Sequence, residues 1–288
     1  MGSLGMAARE HGISQPAASA RIQALERRLA LVLVERSPSG SRLRPAGVTV
    51  AQWARRVVDA AAELHAGATA LRNAREALLS VGASMTIAEY LMPRWLVTLR
   101  ASRPQLTVAL RAENSHDVVE QVRGGDADLG FVEDLSSHPD LCEHLVGHDE
   151  LVVVVSPGHP WACLPGPLTA AGLAAGQLVL REPGSGTREI LDRVLDDLRD
   201  GDTPHLELTS PTAIKEAVTG GAGAAVLSIL AVDRELRAGQ LVRVPVTGIT
   251  LTRRFRAVRR KDRQLTEPAT ALLHIAKGEA SQSDHRQR

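Results

Sequence analysis

The stretch from Ser3 to Gly47 constrains this 288-residue chain more than any other segment. Ala7 and Ala8 lie on a short first helix that Gly12 closes, because glycine takes the positive φ that a tight helix exit needs. Ser14 then restarts the chain. Its hydroxyl can cap free backbone N–H groups, and Pro16 suits the first helical turn, where a missing donor costs nothing. Ile22, Leu25 and Leu29 follow at helical spacing and are expected to hold this second helix on a core, with Gln15, Ala18, Ser19 and Arg21 facing outward. A basic turn comes next, with Arg42 and Arg44 ahead of Pro45-Ala46-Gly47. Helix, turn, helix and basic wing is an arrangement that sets side chains into a DNA major groove. Ser14, Gln15, Pro16, Ala18, Ser19 and Arg21 are therefore candidate contacts to duplex DNA, with Gln15, Ser19 and Arg21 placed for base edges and Arg42 for the wing.

Charge is distributed to match. The whole chain carries only +1, yet residues 1–56 hold nine Arg against three Glu, or +6, which leaves −5 for the remainder. Arginines at that end would neutralise phosphates and give salt-sensitive affinity.

Ala7-Ala8, Ser14-Gln15-Pro16-Ala17, Ser19, Arg21-Ile22, Leu25-Glu26, Leu29, Leu33, Glu35-Arg36, Arg42-Leu43 and Pro45-Ala46-Gly47 together resemble the winged helix-turn-helix of LysR-type transcriptional regulators. Val34 and Arg44 depart from the residues usual in that wing, where Phe and Thr are expected. The resemblance also implies another helix of about four turns ahead of the position of Ser3. Residues 1–48 are accordingly expected to form a partial winged domain lacking its first helix. An alternative expectation follows: a cytoplasmic small-molecule-binding or dominant-negative dimerising protein that does not bind DNA.

From Val48 to Leu79 the sequence has no Pro and a single Gly, which predicts one long helix, assigned as a linker over residues 49–79. Val50, Val57, Leu64, Leu71 and Leu78 recur every seven residues, and Trp53, Ala60, Gly67 and Ala74 fall three positions after the first four. A seven-residue apolar period favours a partner helix over packing on a globule, so a homodimer or homotetramer is expected. The LysR resemblance implies the same element.

Beyond Leu79, short apolar strands alternate with helices, a pattern of α/β lobes with mainly parallel sheets. Strands are predicted at 79–83, 106–112, 127–133, 151–155, 178–181, 205–208, 224–227 and 255–259, with a further one over Cys142 to His148. Val118, Glu120, Val122, Gly124 and Gly125 recur as Ile214, Glu216, Val218, Gly220 and Gly221, each offset by 96, which argues for two related lobes. Crossovers are expected at Val155 to Gly158 and at Thr250 to Arg254, giving lobe I as 80–155 with 255–278 and lobe II as 158–250. Residues 80–278 resemble the effector-binding domain of LysR-type regulators, which implies the type 2 periplasmic-binding-protein fold. Residues 281–288 are expected to be a disordered tail.

The octapeptide Arg181-Glu182-Pro183-Gly184-Ser185-Gly186-Thr187-Arg188 carries the most chemistry. A strand leads into a Gly-rich turn and Thr187 opens a helix to about Leu198, so free N–H groups and hydroxyls face the strand's C-terminal end, a setting that favours anions. Ser84, Met85 and Thr86, Asn114 and Ser115, and Ser210 and Thr212 stand before the other helices of the domain. With Glu182, Ser185, Gly186, Thr187 and Arg188 they are the candidate pocket for a small carboxylate- or phosphate-bearing metabolite. Arg188 or Arg181 would serve as charge partner, unless Arg188 pairs with Glu182 or Glu189.

Other chemistries find little support. His138, Cys142, His144 and His148 have spacings that could suit a metal, but His138 precedes Pro139 in a loop while the other three share one strand face, so no metal or cofactor is expected. Ser185 lacks a nucleophile elbow and the glycine turn lacks the lysine of a phosphate-binding loop, so the chain is not expected to be an enzyme. Two cysteines, no secretion pattern and no apolar run of membrane length point to the cytoplasm and to no membrane partner.

Overall fold

The computed structural model describes residues 4–37, 40–195, 198 and 205–286, excluding the side chains of 37, 69–76 and 279–286. The chain divides into two compact units, Met1–Asn73 and Ala74–Arg288.

In the first unit, α1 (Leu4–Glu10) turns at Gly12, whose φ is +64°, into α2 (Gln15–Leu29). Ser14 Oγ accepts a hydrogen bond from the Ala17 N–H at 3.3 Å and Pro16 occupies the first turn. The helix ends at Ala30, a left-handed residue with φ 56°. A hairpin of β1 (Val34–Ser37) and β2 (Gly40–Leu43) follows, pairing Val34 with Leu43, and α3 (Pro45–Glu76) leaves it. Glu26 fastens the hairpin to α2, its Oε1 accepting from the N–H groups of Leu33 at 2.7 Å and Val34 at 3.0 Å. Those two bonds hold the Glu26 carboxyl below its ordinary pKa.

The expected core of α2 is not formed. Leu25 and Leu29 are each 42 % exposed, Ile22 is half-buried, and among the described residues of this unit only Ala8 and Leu33 are buried hydrophobic side chains. Two short helices and a hairpin offer too little surface to cover a third apolar stripe. Along α3, Trp53, Val57 and Leu64 of the seven-residue seam are exposed. The seam's last position departs from expectation, since Leu78 opens a strand rather than closing the helix.

The second unit begins β3 (Leu78–Ser84), α4 (Met85–Tyr90), α5 (Met92–Ser102), β4 (Thr107–Glu113), α6 (Ser115–Gly124) and β5 (Leu129–Val132). Next come β6 (Leu141–Val155), β7 (Leu168–Thr169), α7 (Ala170–Ala174), β8 (Leu178–Arg181), α8 (Gly186–Leu195) and β9 (Leu206–Leu208). It ends with α9 (Pro211–Thr219), β10 (Ala224–Ser228), α10 (Ile229–Arg237), β11 (Val242–Val244), β12 (Val246–Thr247), β13 (Thr252–Arg260) and α11 (Glu267–Arg286).

Among the described residues nine strands form one sheet, eight on the path β4-β3-β5-β13-β6-β10-β8-β9 and β11 off it, paired with β6. The outer strands pair in parallel, but β13 and β6 run antiparallel to their neighbours, so the sheet is mixed rather than mainly parallel. The reason lies in β6. Its first part pairs with β13 as far as Glu150↔Thr252, and Leu151–Val155 then pair with β10 and β11. The first crossover therefore falls inside β6 near Glu150, not at Val155 to Gly158. Leu151, Val153 and Val155 enter one core of lobe II while Val152 and Val154 enter another, so this run is the buried centre of lobe II. The return passes at Leu251, whose carbonyl accepts from the Leu151 N–H at 2.7 Å.

Lobe I is built round Trp95, Phe131 and Phe255, with Leu272 and Ala276 of α11 against them. That helix continues to Arg286, so residues 281–286 are helical where a disordered tail was expected; 287–288 lie outside the described residues. The repeat is visible as α6 and α9. Val118 and Val122, like Ile214 and Val218, are buried, and Gly125 (φ +83°) and Gly221 (φ +88°) supply the left-handed turns before β5 and β10.

Candidate functional site

The C-terminal ends of β3 and β5 in lobe I face the start of α8 in lobe II across the hinge strands. Ser84 and Thr86 flank the first residue of α4, Ser115 opens α6 and Thr187 lies in the first turn of α8; all four are buried. Three residues that the sequence did not single out gather them: Glu133, Asp149 and Arg253. Arg253 reaches Asp149 Oδ2 at 2.7 Å, Glu133 Oε1 at 2.8 Å, Thr187 Oγ1 at 2.8 Å and Thr86 Oγ1 at 3.1 Å. Glu133 accepts in addition from Ser84 Oγ at 2.9 Å and Thr86 Oγ1 at 3.1 Å. Ser115 Oγ accepts from the Glu133 N–H, and Ser228 Oγ donates to Asp149 Oδ1 at 2.8 Å. Burial pushes the Asp149 carboxyl above its ordinary pKa, against the pull of Arg253 and Ser228.

A β-bulge explains how Asp149 arrives there. Phe255 pairs with Gly147 but Arg256 pairs with Leu145, so Val146 is an extra residue that reverses the alternation of β6 beyond it. Asp149 then stands opposite Arg253. The same bulge corrects the histidine reading: His148 turns to the face opposite Cys142 and His144. His138 instead bonds Asp134, Nε2 to Oδ2 at 2.9 Å. No group of three or more His, Cys, Asp or Glu able to hold a metal occurs among the described residues.

The remaining pocket candidates divide. Gly186 packs against the other lobe so closely that a Cβ there would lie 2.5 Å from the Glu133 carbonyl oxygen. Ser185 is 1 % exposed and its Oγ has no hydrogen-bond partner. Asn114 caps α6 by accepting from the Asp117 N–H, and His116 N–H donates to the Gly184 carbonyl at 3.2 Å, which joins the lobes again. Met85 is half-buried at the head of α4. Arg188 binds neither Glu182 nor Glu189: its Nε takes both oxygens of Asp192, one turn along α8. Glu182 pairs with Arg181, and Glu189 receives the Leu135 N–H and the Ser136 hydroxyl from lobe I. Ser210 precedes α9 without a side-chain cap bond and Thr212 is exposed, so α9 contributes no hydroxyl to the Arg253 cluster. A cavity of about 360 Å³ is lined by His116, Asp134, Ser136, His138, Gly184, Arg188 and Glu189, among others; its lining adjoins Ser185 in the chain at Gly184 but includes none of the hydroxyls bonded to Glu133 or Arg253.

In the first unit Ser14, Gln15, Pro16, Arg21 and Arg42 are exposed, and Ala18 and Ser19 are half-buried. Ser19 Oγ accepts from Arg36 Nη2 at 2.7 Å, which ties α2 to the wing.

A winged helix-turn-helix joined through a long helix to a hinged, hydroxyl-lined two-lobed domain defines a transcriptional regulator with an effector-binding domain. Residues 1–48 match the model for the bacterial regulatory helix-turn-helix protein, lysR family, and residues 72–281 match the LysR substrate binding domain. The chain belongs to the LysR family. It is 42 % identical over 283 residues to an HTH-type transcriptional regulator of Mycobacterium tuberculosis, covering 95 % of this chain and 90 % of the relative. Full-length OxyR from Pseudomonas aeruginosa superposes with a TM-score of 0.77 at 26 % identity over 95 % of this chain and 94 % of that one. The Synechocystis CcmR regulatory domain, solved in complex with 2-PG, shares the fold with a TM-score of 0.63 at 24 % identity, over 70 % of this chain and 97 % of that one.

Proposed function

We propose that this LysR-family regulator controls promoters in response to a small metabolite, bearing a carboxylate or phosphate, that binds between the lobes near the start of α8. The observation that carries the reading is Ser185: a hydroxyl 1 % exposed and without a partner, at the N-terminal end of a ten-residue helix. A buried hydroxyl left unpaired is costly, and a ligand oxygen would satisfy it where the helix dipole favours negative charge. The adjoining cavity is of a size that suits a small metabolite. Binding can switch the protein only if the ligand favours one lobe arrangement over another.

On this reading Ser14, Gln15, Pro16, Ala18, Ser19, Arg21 and Arg42 meet double-stranded promoter DNA, and α3 pairs copies of the chain into a homodimer or homotetramer through its exposed seam. The helix-turn-helix match over residues 1–48 favours DNA binding over a purely dimerising role. Two measurements test the proposal. Titration calorimetry with a panel of carboxylated and phosphorylated metabolites should find at least one ligand whose affinity falls about tenfold or more in Ser185→Ala. Footprinting should show that Gln15→Ala with Arg21→Ala abolishes operator preference while light scattering reports an unchanged oligomer. No ligand in the panel, or footprints unaltered by the double substitution, would contradict it.

A further inference from the structure

The cleft hydroxyls are already occupied. Of those expected to meet a ligand, Ser84 and Thr86 donate to Glu133, Thr187 accepts from Arg253, and Ser115 holds the Glu133 backbone N–H. Glu133 itself is 1 % exposed and in salt-bridge contact with Arg253 at 2.8 Å. Two hydroxyl donors and a guanidinium round one carboxylate make an anion site whose occupant is part of the chain. The charge count is also uneven. Arg253 is shared with Asp149, so two carboxylates face one guanidinium inside the protein. A third acidic group cannot join them without strong like-charge repulsion in a low dielectric.

Resting on the reading of this cleft as the effector site, we propose that Glu133 is a specificity-determining residue that stands in the place of the effector's acidic group. The effector must displace the Glu133 carboxylate from Ser84, Thr86 and Arg253 before its own carboxylate or phosphate takes those donors. Glu133 thereby sets the concentration at which the regulator responds, and it selects ligands that outbid a carboxylate for two hydroxyls and a guanidinium. Phosphate, with more acceptor oxygens and greater charge, competes better than a monocarboxylate.

The test uses the full chain and inorganic phosphate as probe, titrated by calorimetry at pH 7.5 and constant ionic strength. Glu133→Gln keeps the side-chain shape, removes the competing charge and leaves Arg253 paired with Asp149. It is expected to bind phosphate about tenfold more tightly than the parent. Glu133→Asp keeps the charge but withdraws it by one methylene, so it should tighten binding by a smaller factor, and it serves if the glutamine variant does not fold. Phosphate binding by the parent that Ser185→Ala weakens, but that neither Glu133 variant tightens, overturns this inference alone. Failure of the parent and all variants to bind phosphate overturns it together with the anionic reading of the cleft.

Discussion

Replacing Arg253 by Met removes a buried cation that both lobes share. Its side chain is fully buried, and its loss leaves Glu133 and Asp149 without a counter-charge and Thr187 without its donor. Removing one partner from a buried ion pair costs about 3–5 kcal/mol, a large part of the roughly 5–15 kcal/mol that holds a domain folded. Methionine fills the stem of the arginine, so the cavity contribution is small. The loss is expected to depend on pH. Burial already raises the Asp149 carboxyl, and without Arg253 it rises further, so protonation of the folded state relieves the variant as pH falls toward the ordinary value of 3.8. A carboxyl raised in the folded state loses stability as pH climbs through its raised pKa, which places the larger deficit at pH 7.5 and the smaller at pH 5. Urea unfolding reads the difference when followed by the emission of Trp95, 1 % exposed in the core of lobe I, in a background with Trp53 and Trp161 replaced by Phe. A deficit below about 1 kcal/mol at pH 7.5, or one equal at the two pH values, would refute the electrostatic account of the cleft.

Gly186→Ala should lower the melting temperature by several degrees, because its Cβ would meet the Glu133 carbonyl at 2.5 Å and push lobe II from lobe I; an unchanged thermal transition would show that this contact yields freely. Arg123 grips Asp140 at 2.7 Å and holds its carboxyl at about 2, so Arg123→Gln should return that value toward 3.8 in a carbon-detected NMR titration. The stabilisation is present above 3.8 and disappears as pH falls through about 2 in the parent, and a titration unmoved by the substitution would remove Arg123 as its cause. Glu26→Ala frees the N–H groups of Leu33 and Val34, so their hydrogen exchange should quicken and operator affinity should drop with the oligomer intact. Equal exchange rates would mean the hairpin holds without that carboxylate.

Local chemistry was legible where a residue's role depends on its near neighbours in the chain. Gly12, Ser14 and Pro16 announced the restart into α2, and the positions of Gly125 and Gly221 announced the twin lobes, since positive φ and capping are properties of a few adjacent residues. The same local reasoning failed for Leu25 and Leu29, whose spacing promised a buried face that the surrounding elements do not cover. Leu151 to Val155 misled in another way: a run of five apolar residues says that a strand is buried but not between which layers.

What the amino-acid sequence determined alone is the family, the order of the two functional parts and the hydroxyl-bearing helix starts, all of which are written in contiguous motifs. Only the tertiary structure decided that Thr86 and Thr187 meet on Arg253, that Glu133 takes the hydroxyls of Ser84 and Thr86, and that Asp149 completes the cluster. The bonded pairs lie up to 167 positions apart, and Asp149 reaches the cleft only because one extra residue, Val146, reverses the side-chain alternation of a strand. Pairing across such distances is set by sheet register and lobe closure, and neither is encoded in any short stretch of the chain.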